Sequence, residues 1–383
     1  MAAKGKVTVY VGTRKGGYVV EGDRSRKKWK VSGPTQEGSE VFHMAPDPRS
    51  PGHVYSLANS AFFGPMVFRS TDYGRKWTEV GTPMMPRKKQ RPPANFEYDP
   101  TTNTYQNTAK IPVKNLWHLE PGPADEPKTL FLGIDPANLY RSDDRGESWE
   151  PLPGLNEHAT RPKWNPGAGG MCLHTILIDP TNSKRMHIGI SAAGTFRTDD
   201  GGEHWKPTNK GVRVDFQPDK NPEVGQCVHD VVMDPSNPDV LYRQDHNGIH
   251  VSRDAADTWQ RVGKSLPYDF GFVSAAPAAS PGEAYFVPLT PNNRTTLPAI
   301  RVMRWTEKTR AWSPAMRGDK QFPGNFGTHR EGMASDRLDP FGLYLGTTTG
   351  QLFVSANAAK TWSQVPFTFP SIHSVTVESP SAV

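Results

Sequence analysis

An eight-residue pattern returns along the chain and limits its fold more than any other feature. Ser70 to Trp77, Ser142 to Trp149 and Thr198 to Trp205 each carry Ser or Thr first, Asp third, Gly fifth and Trp eighth. Each follows a short β-like run ending in an aromatic and an arginine: Val67-Phe68-Arg69, Leu139-Tyr140-Arg141 and Thr195-Phe196-Arg197. The pattern describes a hairpin. The Asp accepts hydrogen bonds from turn N–H groups and the Gly takes a positive φ. The Trp then opens the returning strand as an apolar plate for a neighbouring sheet. Eroded copies run from Ser252 to Trp259 and from Ser355 to Trp362, while Trp29 and Trp312 mark two more units. The Trp positions 29, 77, 149, 205, 259, 312 and 362 define seven units. Spacings are 48 to 56 residues except for 72 between Trp77 and Trp149. A fixed period of this kind indicates repeat architecture.

Within a unit, a run ending in a turn (often Asp-Pro, as at Asp179-Pro180 and Asp234-Pro235) precedes a second strand, and a third leads into the box. A fourth starts at the Trp. Four strands, A to D from the axis outwards, make a propeller blade, so the fold class is all-β, a seven-bladed β-propeller with Asp-box hairpins. Thirty-seven Pro and 35 Gly suit many short strands, and no stretch has sustained helical periodicity. Residues 6–31 supply only three strands, whereas the C-terminus has an extra one at Ile372–Val377. The C-terminal strand is therefore expected to complete the first blade, removing two open edges. The expected blades are 371–379 with 6–31, then 39–81, 115–152, 171–208, 226–262, 270–313 and 331–364, forming a single domain over 1–383. The long spacing places an inserted loop at 83–113.

The eight-residue unit resembles the Asp-box, or BNR repeat, of sialidase-type β-propellers, sortilin-type receptors and photosystem II assembly factors. Further stretches resemble a family of intracellular bacterial BNR-repeat proteins over most of the chain. They are Val11 to Gly16, Trp117 to Gly122, Gly167 to His174 and Glu223 to His229. Members are often labelled sialidase-like or glycosyl-hydrolase-like, which names a fold relative and not a reaction. Sialidase activity is disfavoured. Those enzymes have six blades, an arginine triad, a Tyr nucleophile and an Arg-Ile-Pro motif; here the nearest tripeptide is Lys110-Ile111-Pro112, inside the insertion.

Strand alternation sorts the chain by face. The links from D to A and the B-to-C hairpins share one face with the long insertions, and the boxes lie on the other. Function is expected on the insertion face. His43, His118, His174, His229 and His373 fall at nearly equivalent places near the starts of A strands, and His329 just precedes its own. Such imidazoles around the axis could hold a divalent transition metal (Zn, Mn, Fe or Cu); alternatively each caps a strand or bonds a neighbouring blade. Cys172-Leu173-His174 and Cys227-Val228-His229 repeat one spacing. Equivalent side chains in adjacent blades point the same way round a ring, so the cysteines are expected to pack rather than to share one metal. Candidate catalytic groups are Glu40, Glu120, Glu223, Arg14, Arg330 and Glu331, with a polar pore rim as the plainer alternative.

Two functions stay open. One is an axial-pocket enzyme, metal-assisted, hydrolysing or eliminating on a small polar or carbohydrate-like substrate. The other is a non-catalytic propeller binding a protein or peptide on the insertion face. No phosphate loop, dinucleotide fingerprint or Gly-x-Ser-x-Gly occurs. Two Cys and no apolar leader-like stretch fit a cytoplasmic protein without a membrane span. A net charge of +6, with basic residues dispersed, argues against nucleic acid as a partner.

Overall fold

The two ends of the chain meet in one sheet. Ile372–Glu378 pairs antiparallel with Val7–Thr13, which pairs in turn with Gly16–Gly22, and Trp29–Thr35 completes the blade. The structure, a computed structural model, describes residues 6–83, 96–99, 104–107, 113–167, 169–297, 300–317 and 325–379. Six further four-stranded antiparallel sheets follow in chain order, giving seven blades. Their A strands are Glu40–Pro46, Asn115–Pro121, Leu173–Asp179, Val228–Asp234, Ser274–Ala275 and Met333–Ser335. Each A strand contacts the next, and the seventh contacts the first, so the ring is closed as expected. Of the 83–113 insertion, Pro83, Val113 and the backbone pairing of Phe96–Asp99 with Thr104–Asn107 are described; the rest lies outside the described residues. Among the described residues, helix is confined to short pieces such as Pro153–Asn156. None is long and apolar enough to cross a membrane.

Burial follows from the stacking of blades. Val7–Thr13 and Leu130–Asp135 are buried at every residue, because both faces of a middle strand pack on neighbouring blades. The boxes pin the outer hairpins. In the second blade the Gly74 N–H donates to Ser70 Oγ (2.9 Å), and the Arg75 and Lys76 N–H groups donate to Asp72 Oδ1 (3.0 and 2.9 Å). The eroded copy is built alike: Ala256 N–H donates to Ser252 Oγ and Thr258 N–H to Asp254 Oδ1, both at 2.9 Å. In three of the boxes the Trp then ties its blade to the one before it. Trp149, Trp259 and Trp362 donate Nε1–H to the carbonyls of Gly81, Thr208 and Ala315 at 2.8 to 2.9 Å.

The A strands carry a feature with no mark in the sequence. In five consecutive blades their register against the B strand slips by one residue at the same place. The extra, unpaired residues are His373, Phe42, Trp117, His174 and His229. Ser374, His43, His118, Thr175 and Asp230 come next. A bulge of this type re-aims side chains near a barrel or pore rim. The histidines expected at one repeat position therefore occupy two. His174, His229 and His373 sit on the bulge, with His43 and His118 one residue beyond it. A one-residue offset is enough to send side chains to different places.

Candidate functional site

A cavity of about 1160 Å³ opens on the insertion face. Its wall includes the D-to-A links at Asn165–Gly167, Phe216–Pro218 and Asn325–Glu331, with the B-to-C hairpins at Ser191 and His246. The bulged residues Phe42, Trp117, His229 and His373 also reach it. A second cavity of about 840 Å³ runs along the axis on the box side, lined by His43, His118 and His174. Arg330 and Glu331 border both cavities and so form the partition between them.

Arg330 forms the floor of the insertion-face basin. Its guanidinium lies 6.0 Å from the Trp117 ring centre and 5.7 Å from that of Phe272, while Nη2 donates to Ser191 Oγ at 3.2 Å. Its Nε is buried without a hydrogen-bond partner, and no carboxylate of the described residues pairs with it within 4.0 Å. Aromatic rings continue around this cation. Phe42 packs on Trp117 (centroids 4.6 Å) and stacks on His373 (4.9 Å, 9° between planes).

Glu331 turns the other way. Its Oε2 meets His43 Nδ1 and its Oε1 meets His118 Nδ1 at 2.7 Å, with the two imidazole centroids 4.5 Å apart. Burial alone would raise the Glu331 pKa, but the two histidines bring it down to about 2. Burial would lower that of His118, but Glu331 and Glu120 raise it to about 10. Glu120 reaches His118 Nε2 only at 3.6 Å, an ion-pair contact rather than a hydrogen bond. The His43–Glu331–His118 unit is an ionic clamp across three blades in this arrangement.

The other expected site residues separate into groups. His373 Nε2 meets Glu40 Oε1 at 3.2 Å, with Arg14 3.9 Å from the same oxygen. His329 lies 4.8 Å from the His373 ring and is held neutral, its pKa lowered to about 3 chiefly by burial. His174 has both nitrogens engaged, Nδ1 with Thr175 Oγ1 and Nε2 with the Val228 carbonyl, each at 3.0 Å. That is the strand-anchoring alternative. Glu223 is not at the basin floor; it faces Lys163 at 3.6 Å on the surface. Six imidazoles do not converge on one point. Among the described residues, the clusters near the axis with metal-ligating atoms within 4.8 Å of one another are His43–His118–Glu331 and Cys227–His229–His246.

The second cluster was half visible in the sequence. His229 Nε2 lies 3.6 Å from Cys227 Sγ, while its Nδ1–H donates to the Gly271 carbonyl at 2.6 Å. His246, on the hairpin before Gly248–Ser252, was not singled out as a ligand, because only tertiary closure brings it to Cys227. Its backbone N–H donates to the Cys227 carbonyl at 3.0 Å. Both cysteines are free and buried, and burial pushes both thiols up.

No family model matches the chain. A xyloglucanase, Xgh74A of Acetivibrio thermocellus, is 24% identical over 207 residues, covering 51% of this chain and 22% of the relative. The chain thus matches less than a quarter of that protein's length. Among solved structures, an ancestral GH74 enzyme superposes with a TM-score of 0.58 at 16% identity, over 86% of this chain and 38% of its own. A putative 6-phosphogluconolactonase from Bacteroides fragilis superposes with a TM-score of 0.56 at 10% identity, over 99% of both chains. At such identities the likeness is one of fold. The named activities differ although the fold is shared, so reaction must be sought in the side chains.

Proposed function

We propose that the insertion-face basin is the active site of a carbohydrate-active propeller that takes a small, anionic, carbohydrate-like molecule and hydrolyses it or eliminates from it. One observation carries this reading. Arg330 is a cation without a carboxylate partner among the described residues, set beneath an aromatic collar at the floor of a cavity of about 1160 Å³. A guanidinium recognises a carboxylate through charge-assisted hydrogen bonds. Flat aromatic rings such as Trp117 and Phe272 suit the apolar face of a sugar ring. The xyloglucanase relative supports the carbohydrate class but not a particular polymer. Two-carboxylate glycoside hydrolysis fits this basin poorly. Glu331 is the only acidic residue along its described wall, and both its oxygens are engaged by imidazoles.

Calorimetry with glucuronate, galacturonate and glucose tests the reading. The acids should bind and glucose should not, and Arg330→Gln should weaken acid binding at least about tenfold, as expected for a lost charge-assisted hydrogen bond. Equal binding of acidic and neutral sugars, or indifference to Arg330→Gln, would refute it. A binding module on the same face is favoured by one observation. Phe62 and Phe63, on the hairpin at Ser60–Gly64, are 93% and 84% exposed. Loss of a protein partner on Phe62→Ser with unchanged sugar binding would assign those rings to that role.

A further inference from the structure

We infer that Cys227, His229 and His246 form a zinc site on the basin wall, with three protein ligands and one open position facing the cavity. The inference rests on the basin as the active site but not on the anion that fills it.

The argument begins with a distance. With Zn–S near 2.3 Å and Zn–N near 2.0–2.1 Å, a tetrahedral ion separates its sulfur and nitrogen ligands by about 3.6 Å. Cys227 Sγ and His229 Nε2 stand 3.6 Å apart. The tautomer is also set. Nδ1 of His229 donates to the Gly271 carbonyl, so the lone pair lies on Nε2, the atom facing Cys227. An imidazole held by a backbone carbonyl on its far nitrogen has the outer-shell arrangement common to metal-ligating histidines. The third ligand is fixed by backbone. His246 N–H bonds the Cys227 carbonyl, its ring packs edge-on to His229 (5.7 Å) and Phe270 (5.3 Å), and neither ring nitrogen has a hydrogen-bond partner among the described residues.

The fourth blade supplies an internal control. It repeats the Cys-x-His spacing in Cys172 and His174, and Ser191 N–H bonds the Cys172 carbonyl at 2.9 Å, as His246 does to Cys227. Thus Ser191 stands where the fifth blade has His246. The imidazole is also turned over. His174 reaches the next blade's Val228 carbonyl with Nε2, whereas His229 reaches Gly271 with Nδ1. Both nitrogens of His174 are used, so the fourth blade keeps the scaffold form of the motif. The fifth blade frees a nitrogen and adds a ligand.

A soft thiolate with two imidazoles selects zinc over hard cations such as Mg or Ca. Binding replaces the thiol proton of Cys227 by the ion and releases that proton to solvent. Ser191 Oγ lies 3.9 Å from the sulfur and also accepts from Arg330, so the ion would lie beside the floor cation. A substrate carboxylate on Arg330 would then lie beside the metal's open position, where catalytic zinc sites take water or substrate.

The test uses the untagged chain. Plasma mass spectrometry of protein grown with zinc should give about one equivalent per chain. Replacement by Co(II) should give a thiolate-to-metal charge-transfer band in the near ultraviolet. Both should vanish in Cys227→Ser, and metal content should fall in His246→Asn, a change on an exposed hairpin that leaves the ring folded. Cys172→Ser should keep both signals. The assignment is overturned if wild type takes up neither metal. It is equally overturned if metal persists in Cys227→Ser or is lost in His43→Gln instead. No sugar enters this experiment, so its failure would leave the Arg330 binding test standing.

Discussion

The two faces of this ring treat the same repeat in opposite ways. On the box face, blades whose sequences have diverged still build one turn. Asn357 Oδ1 accepts the Thr361 N–H at 2.9 Å in the seventh blade just as Asp144 Oδ1 accepts the Ser148 N–H in the third. Near the axis, equivalent bulge positions hold Phe42, Trp117, His174, His229 and His373, and these do different work. Phe42 and Trp117 form an aromatic collar, His174 anchors a strand, and His229 presents a free nitrogen. Repetition supplies the closed scaffold, and departures from it supply chemistry. Variants should therefore divide by face, with stability moving on one side and ligand binding on the other.

The largest exception is expected at the partition, where the two faces meet. Glu331→Gln removes the charge between His43 and His118 and should cost about 3–5 kcal/mol, the usual penalty for breaking a buried ion pair. Its pH dependence separates this from a packing defect. His118 is raised from 6.5 to about 10, so its contribution is complete below pH 6.5 and fades as pH rises through 10. Glu331 is lowered from 4.5 to about 2, so its contribution is complete above pH 4.5 and is lost as pH falls towards 2. Urea unfolding should show the widest gap between wild type and variant from pH 4.5 to 6.5, narrowing towards pH 10. A gap constant across that range would remove the ionic clamp from the account.

A pure box-face change should be smaller and silent at the basin. Asp144→Ala removes the acceptor for Ser148 N–H and Ser148 Oγ, and should cost roughly 1–3 kcal/mol in denaturant unfolding. Metal content and hexuronate affinity of the folded fraction should stay at the wild-type level. If either collapses while the melting curve is unchanged, the division between faces is wrong.

What could be read from sequence follows the same division. The box is local: its donors and acceptors lie two to four residues apart, so eight residues carry the whole turn. Ring closure was legible too, since three strands at one end and a spare at the other leave one economical pairing. The site was legible only in part. Nothing in Val41-Phe42-His43 or Cys227-Val228-His229 announces a bulge, and a one-residue slip decides which ring reaches the basin. Arg330 and Glu331 stand among the candidate catalytic groups, but adjacency in sequence does not show that one faces the basin and the other the two histidines. Glu223 lies six residues before His229, a spacing that says little across a loop that turns it towards Lys163. His246 joins the cluster through its backbone bond to Cys227, a contact between strands that spacing alone does not encode.

The smallest effect is expected where the box has lost its glycine. Ala256 holds φ at 69° and Ala359 at 60°, where the intact boxes have Gly74, Gly146 and Gly202 at 80°, 90° and 102°. An L-residue in this left-handed region loses roughly 1–2 kcal/mol, which Ala256→Gly would recover. Two terms oppose it. The Ala256 methyl is buried against Val231, Leu241 and Trp259, and removing it forfeits about 0.8 kcal/mol. The glycine also frees the unfolded chain by about 0.4–1 kcal/mol. These terms nearly cancel, so Ala256→Gly should shift unfolding free energy by less than about 1 kcal/mol and leave zinc binding unchanged. Near-neutrality here explains how the glycine could be lost twice without loss of the turn, because the Ser252 and Asp254 acceptors carry the geometry. Destabilisation by more than about 2 kcal/mol, beyond any cap removed from the turn, would mean that the methyl's packing holds the fifth blade in place. The box of that blade would then have been rebuilt around its core rather than merely eroded.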